Sequence, residues 1–173
     1  MRSNSWAPLT STLGGMESEV ASELKDLYRE GVAHTLGGFQ LLEDGLKTYL
    51  GVYYRTINAL LKGRLHFGYE RADIQDASLG RLLTVFSKVC ANQALVAEMR
   101  SLVKHRDQAA HQAFICLYGP GPGDQEFVEM IDANAKLGTQ LSLLLPRLHD
   151  EMVKVHGVLA SAGPSGASNG HSA

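Results

Sequence analysis

Apolar residues in this chain recur at spacings of three and four, and no run alternates strictly between apolar and polar. That period is helical, because residues three and four apart share one face of an α-helix. Residues 16–30 are largely polar, with Val20, Leu24 and Leu27 in helical phase, and Gly31 is expected to interrupt the helix they predict. From Phe39 a second stripe follows: Leu42, Leu46, Tyr49, Leu50, Tyr53, Ile57, Leu60 and Leu61, about six turns of helix. Gly37, Gly38, Gly45 and Gly51 lie in or beside it, each lowering helix propensity by roughly 1 kcal/mol against Ala. Glycines on a long helix either admit a close neighbour or sit harmlessly at the surface, and the pattern leaves both readings open.

Residues 63–77 form a polar connection with scattered aromatics. Ser78 is a candidate N-cap for a short helix whose apolar face is Leu79, Leu82, Leu83, Phe86 and Val89. A longer helix is expected from Gln93, with Leu95, Met99, Leu102, Val103, Ala110, Ala113, Phe114 and Leu117 on one side. The run Gly119 to Gly123, alternating Gly and Pro, must end it. A last helix is expected over Asp124 to Leu159, striped by Phe127, Ile131, Leu141, Leu145, Leu148, Met152, Val155 and Leu159, with Asn134 and Gly138 in register. Pro146 is expected to kink or divide it. The pattern predicts an all-α bundle of about five helices. Residues 16–160 form its single domain, between a flexible segment at 1–15 and a disordered tail at 161–173, both rich in small polar residues.

Composition narrows the function classes. The chain has 173 residues, 45% of them hydrophobic, enough for one sizeable core. With 16 basic and 18 acidic residues its net charge is −2, so any contact with nucleic acid must come from a local patch. Two cysteines, Cys90 and Cys116, make no disulfide framework and point to a reducing compartment. No apolar run reaches the ~20 residues of a membrane span and no signal-peptide pattern is visible, so a cytoplasmic protein without membrane contact is expected. No phosphate-cradling glycine loop, metal-ligand cluster or nucleophile elbow occurs, and no cofactor or metal is expected.

One segment carries candidate chemistry: Lys104-His105-Arg106-Asp107, then His111. Arg106 lies in phase with the apolar stripe of its own helix, three residues after Val103 and four before Ala110. A buried guanidinium is costly unless paired, so Arg106 must find an acid or line a cleft or interface. His111 stands five residues on, about 140° around an ideal helix, so the two flank a groove rather than stack in line. Asp107, four residues before His111, is within reach of its ring. Lys104 and His105 are candidates to touch phosphate, and Glu43, at the edge of the earlier stripe, is a candidate substrate contact. The structural alternative is an ion-pair network, Arg106 with Glu43 and His111 with Asp107. Arg-x4-His occurs also at Arg29 to His34, with Glu30 and Ala33 beside its ends, and at Arg100 to His105, but only the third copy has Asp after the Arg and a place on the penultimate long helix.

Arg106-Asp107-Gln-Ala-Ala-His111 resembles the motif of the HEPN family, the higher eukaryotes and prokaryotes nucleotide-binding domains: an Arg, four to six residues, then a His. Residues 37–50 resemble the long early helix of those domains, with Glu43 as its acidic residue, and residues 77–88 the leucine- and glycine-bearing helix before the motif helix. The likeness covers roughly residues 36–118. It implies a metal-independent endoribonuclease of toxin or defence type, with two protomers joining their motif helices so that two Arg and two His share a cleft. RNA or a nucleotide is then the ligand, a homodimer the assembly and a cognate antitoxin a further partner. Arg106 would bind the scissile phosphate, His111 would transfer protons and Asp107 would orient it. A silent module that binds a nucleotide, RNA or protein through the same groove is the alternative.

Overall fold

The computed structural model describes residues 10–61, 64–65, 68–69, 72–119 and 123–161, and their side chains except at 10–19, 21, 117 and 159. Five helices follow one another: α1 (Thr10–Leu61), α2 (Ala72–Gln75), α3 (Leu79–Val89), α4 (Gln93–Tyr118) and α5 (Asp124–Ser161). The protein is an all-α bundle, with no strand among the described residues. None of its described helices is long and apolar enough to cross a membrane. Of the two segments expected to be flexible, residues 1–9 and 162–173 lie outside the described residues, while α1 is already helical from Thr10.

The bundle is built on α1 and α5. Three glycines at intervals of seven residues face α5: Gly31 meets Asn134, Gly38 meets Leu141 and Gly45 meets Leu148. The pairs rise together, so the two helices run parallel, with the heptad register of a coiled coil. A Cβ on Gly38 would lie 3.1 Å from Leu141 Cδ1, and one on Gly45 would lie 2.9 Å from Leu148 Cδ2. Gly138 returns the relationship, since its Cβ would lie 3.0 Å from His34 Cδ2. Between the glycines Phe39 and Leu42 are buried, and Tyr28 and Tyr49 are buried just before and after them, so the seam alternates bulk with close approach. Thr35 Oγ1 donates to the carbonyl of Asn134 at 3.1 Å, which satisfies a buried hydroxyl inside the seam.

Gly31 therefore does not interrupt α1, which is a correction to the sequence reading. Tyr28 and Val32 on either side of it are buried with Ala113, Cys116 and Phe127, and this packing outweighs the propensity loss. The inward residue of that first stretch is Tyr28, fully buried, rather than Leu27, which is exposed. Burial first, then the adjacent Cys116 thiol, pushes the Tyr28 phenol up to about 12. Nor does Pro146 divide α5, which continues through it. Its ring is exposed, while Leu144 and Leu148 on the inner face are buried.

The main core gathers Phe39, Leu46, Leu50, Leu82, Phe86, Leu95 and Met99 from α1, α3 and α4 against Leu141 and Leu148 of α5. Phe86 meets Tyr49 edge-on, with ring centroids 4.8 Å apart. The α4 helix runs back along α5, from Glu98 paired with Arg147 to Cys116 beside Met130. Ser78 stands at the N-cap of α3 without a side-chain cap bond. Asn92 does cap α4, accepting from the Leu95 N–H at 3.1 Å, and its amide donates to Glu151 at 3.1 Å. Glu151 is buried on α5 and also accepts from Lys154 at 2.7 Å.

Gly38→Leu forces bulk against Leu141 and should destabilise the fold by about 1–3 kcal/mol. Gly37 meets nothing within 4 Å, so Gly37→Ala should be neutral or stabilising by up to about 1 kcal/mol, both read from urea midpoints. The hydrogen bonds from Lys154 and Asn92 hold the Glu151 carboxyl below the usual carboxylate range against the opposing effect of its burial. Its folded pKa is thus below the unfolded one, so its contribution is full above the unfolded value and is lost as pH falls through the folded value. Wild type should exceed Glu151→Gln in urea stability near pH ~7, and the gap should close toward pH ~3.

Candidate functional site

The C-terminal half of α4 carries the candidate residues on a helix held inward by Leu102, Ala109, Ala113 and Cys116. The inward line runs through these positions and not through Ala110 and Phe114, as the sequence reading had it. Ala110 is exposed and Phe114 is 66% exposed. Arg106 sits beside the inward line and is half-buried, while Lys104, Asp107 and His111 are exposed. Among the described residues Arg106 makes no ion pair or hydrogen bond, and neither does His111 or Asp107.

The alternative ion-pair network is not formed. Glu43 accepts instead from Lys47, one turn away on α1, at 2.9 Å. It is half-buried there and neutralised by its own helix rather than by Arg106. Asp107 and His111 share the outer side of α4 without a bond between them. Within one chain, then, Arg106, Asp107 and His111 are neighbours on one helix but are not assembled into a hydrogen-bonded constellation. Glu43 belongs to a local pair elsewhere.

The charge along this helix is uneven. Between residues 99 and 118 the cations Arg100, Lys104 and Arg106 face one acid, Asp107. Arg100 donates to Ser87 Oγ at 2.8 Å, while Lys104 has no ion pair among the described residues. Past His111 the outer face turns aromatic. Tyr118 is 79% exposed, and its ring centroid lies 5.3 Å from that of Phe114. The sequence reading placed Phe114 in the core because its spacing from Ala110 fits a stripe. Ala113 was read correctly; the missed signal was that Ala109 and Cys116 form with it an equally regular stripe.

On its other flank α4 parts from α5 and leaves a groove of about 470 Å³, lined by Gln108, Ala109 and Gln112 and by Met130, Ala133 and Leu137. Small residues on both helices leave the space unfilled. Its rim is mixed, with His105 and Lys136 beside Glu126 and Glu129. Neither Arg106 nor His111 lines it. Among the described residues no group of three His, Cys, Asp or Glu side chains is placed to hold a metal ion. Comparisons of the chain with protein-family models, with curated proteins and with solved structures find no match.

Because Arg106 has no counter-ion to lose, Arg106→Met should change folding stability by no more than about 0.5 kcal/mol in a urea titration. A loss of the size that follows breaking a buried ion pair, about 3–5 kcal/mol, would show that the guanidinium is structural.

Proposed function

We propose that this protein is a HEPN-like, metal-independent endoribonuclease that acts as a homodimer through the outer side of α4. The observation that carries the reading is the half-buried residue Arg106, which has no ion pair or hydrogen bond among the described residues, one turn and a half from an unpaired His111. A guanidinium not engaged by an acid is suited to an anion supplied from outside, and it matches two phosphate oxygens at once. The resemblance of Arg106-Asp107-Gln-Ala-Ala-His111 to the family motif supplies the chemical class.

In this reading the α4 helices of two copies face each other about a two-fold axis, which brings two Arg106 and two His111 to one cleft. One imidazole takes the proton of the ribose 2′-hydroxyl as its oxygen bonds to phosphorus. The bond from phosphorus to the 5′ oxygen breaks, and the second imidazole, protonated, gives that oxygen its proton. Arg106 stabilises the charge on the phosphorane oxygens. The products are a 2′,3′-cyclic phosphate and a 5′-hydroxyl. Asp107 is placed to orient His111 when the cleft closes, and Lys104 to meet a flanking phosphate. Glu43, held by Lys47 on another helix, supports a structural role more than a substrate contact. A cognate antitoxin is the partner that this class implies.

The test is induced expression of wild type and His111→Ala, with growth and total RNA followed in both. Growth arrest with cleaved RNA ending in cyclic phosphate is expected for wild type. Purified His111→Ala should cleave at least about 100-fold more slowly, and Arg106→Ala likewise. Chelator should leave wild-type cleavage unchanged. RNA that is bound but left intact by wild type would instead mark a silent binding module, for which Arg106 remains the phosphate contact.

A further inference from the structure

Viewed down an ideal helix, Arg106, Ala110, Phe114, Tyr118 and His111 follow one another around one sector of about 140°. Ala110 is exposed and small, so the sector has a low floor between the cation and the imidazole. Its C-terminal end is closed by two rings that are among the most exposed apolar side chains of the described residues, Phe114 at 66% and Tyr118 at 79%. The ring centroids lie 5.3 Å apart and the planes are tilted by 42°, so the two exposed rings adjoin. Along the axis Phe114 lies about 12 Å from Arg106 and Tyr118 about 18 Å, a span of two to three nucleotide steps in a single strand.

We infer that Phe114 and Tyr118 form a base-stacking platform for an unpaired stretch of RNA whose phosphates run along Lys104 and Arg106. The inference rests on the ribonuclease reading and names its substrate class: single-stranded RNA, read by shape and stacking rather than by sequence. Charge complementarity selects this occupant, since cations outnumber acids three to one between residues 99 and 118 of a chain that is acidic overall. Unpaired bases stack on exposed aromatic rings beside a cationic track, and every base has a face to offer. A duplex keeps its bases stacked within itself and gains little from such rings.

The experiment uses full-length protein carrying His111→Ala, so that RNA survives, and a fluorescent oligouridine with its duplexed form as probes. Phe114→Ala with Tyr118→Ala should weaken single-strand binding roughly tenfold or more and leave duplex binding unchanged. Sedimentation should give the same assembly state for both proteins. Phe114→Trp should restore binding, and in a Trp6→Phe background, which removes the chain's one other indole, its fluorescence should be quenched by oligouridine. Undiminished single-strand binding by the double alanine variant overturns the platform while leaving the nuclease reading intact. Collapse of a dimer to monomers in that variant also overturns it, because the rings would then belong to the seam between copies. Failure of the parent to bind any single strand, with no cleavage by wild type, overturns both.

Discussion

The distance at which α1 and α5 can meet governs the rest of this molecule. Gly31, Gly38 and Gly45 recur every seven residues, and Asn134, Leu141 and Leu148 answer at the same interval. Two helices that keep a heptad register stay in contact for their whole shared length. The glycines let Leu141 and Leu148 settle against the backbone of α1 rather than against its side chains. Each glycine weakens a helix in isolation, by roughly 1 kcal/mol. The cost is offset by the burial of Leu42 among them and of Tyr28 and Tyr49 on either side, and by the dispersion contacts that close approach allows.

Once that pair is set, α3 and α4 have one place to go. Leu82 and Phe86 of α3 and Leu95 and Met99 of α4 are fully buried against the main core. Asn92 fastens the start of α4 to Glu151 of α5 and caps the helix with the same side chain. Toward its far end the buried side chains that α4 offers among the described residues are Ala109, Ala113 and Cys116. Small inward residues hold the helix with little side-chain bulk, so its chemistry-bearing residues project from a rail that is well anchored at one end. The groove beside Ala109 and the outward rings follow from the same choice of residues.

The helical class and most helix boundaries were legible from period and punctuation: α4 starts at Gln93, α5 at Asp124, and Gly119 caps α4 where the glycine–proline run begins. The errors share a cause. Propensity and breaker rules act locally, so Gly31 read as an interruption and Pro146 as a kink or division, whereas α1 continues through Gly31 and α5 is not divided at Pro146. Stripe assignment failed where two regular stripes competed. Leu27 lost to Tyr28, and Ala110 and Phe114 lost to Ala109 and Cys116, because the nearness of another backbone favours the residue that fits and not the one that is most apolar. The buried Glu151 was not legible, since its partners Asn92 and Lys154 come from two helices. In the candidate site, the tension of a cation within an apolar stripe was visible in sequence. That Glu43 would turn to Lys47 and leave Arg106 without an acid was not.

The main core and the small cluster around Tyr28 lie at different heights along the same bundle, and α4 spans both. Its first turns are locked to Leu141 and Leu148 through Leu95 and Met99, while its last turns place Ala113 and Cys116 in a small cluster with Tyr28, Val32 and Phe127. Such a helix has no single opening free energy. Its amides will exchange hydrogen along a gradient, slow near Leu95 where opening requires the whole fold to melt, and fast near Cys116 where a local event suffices. Whatever settles on the outer side of residues 106–118 therefore meets the more yielding end of a rigid rod. Its binding will be recorded as protection spreading down one helix from an anchored start.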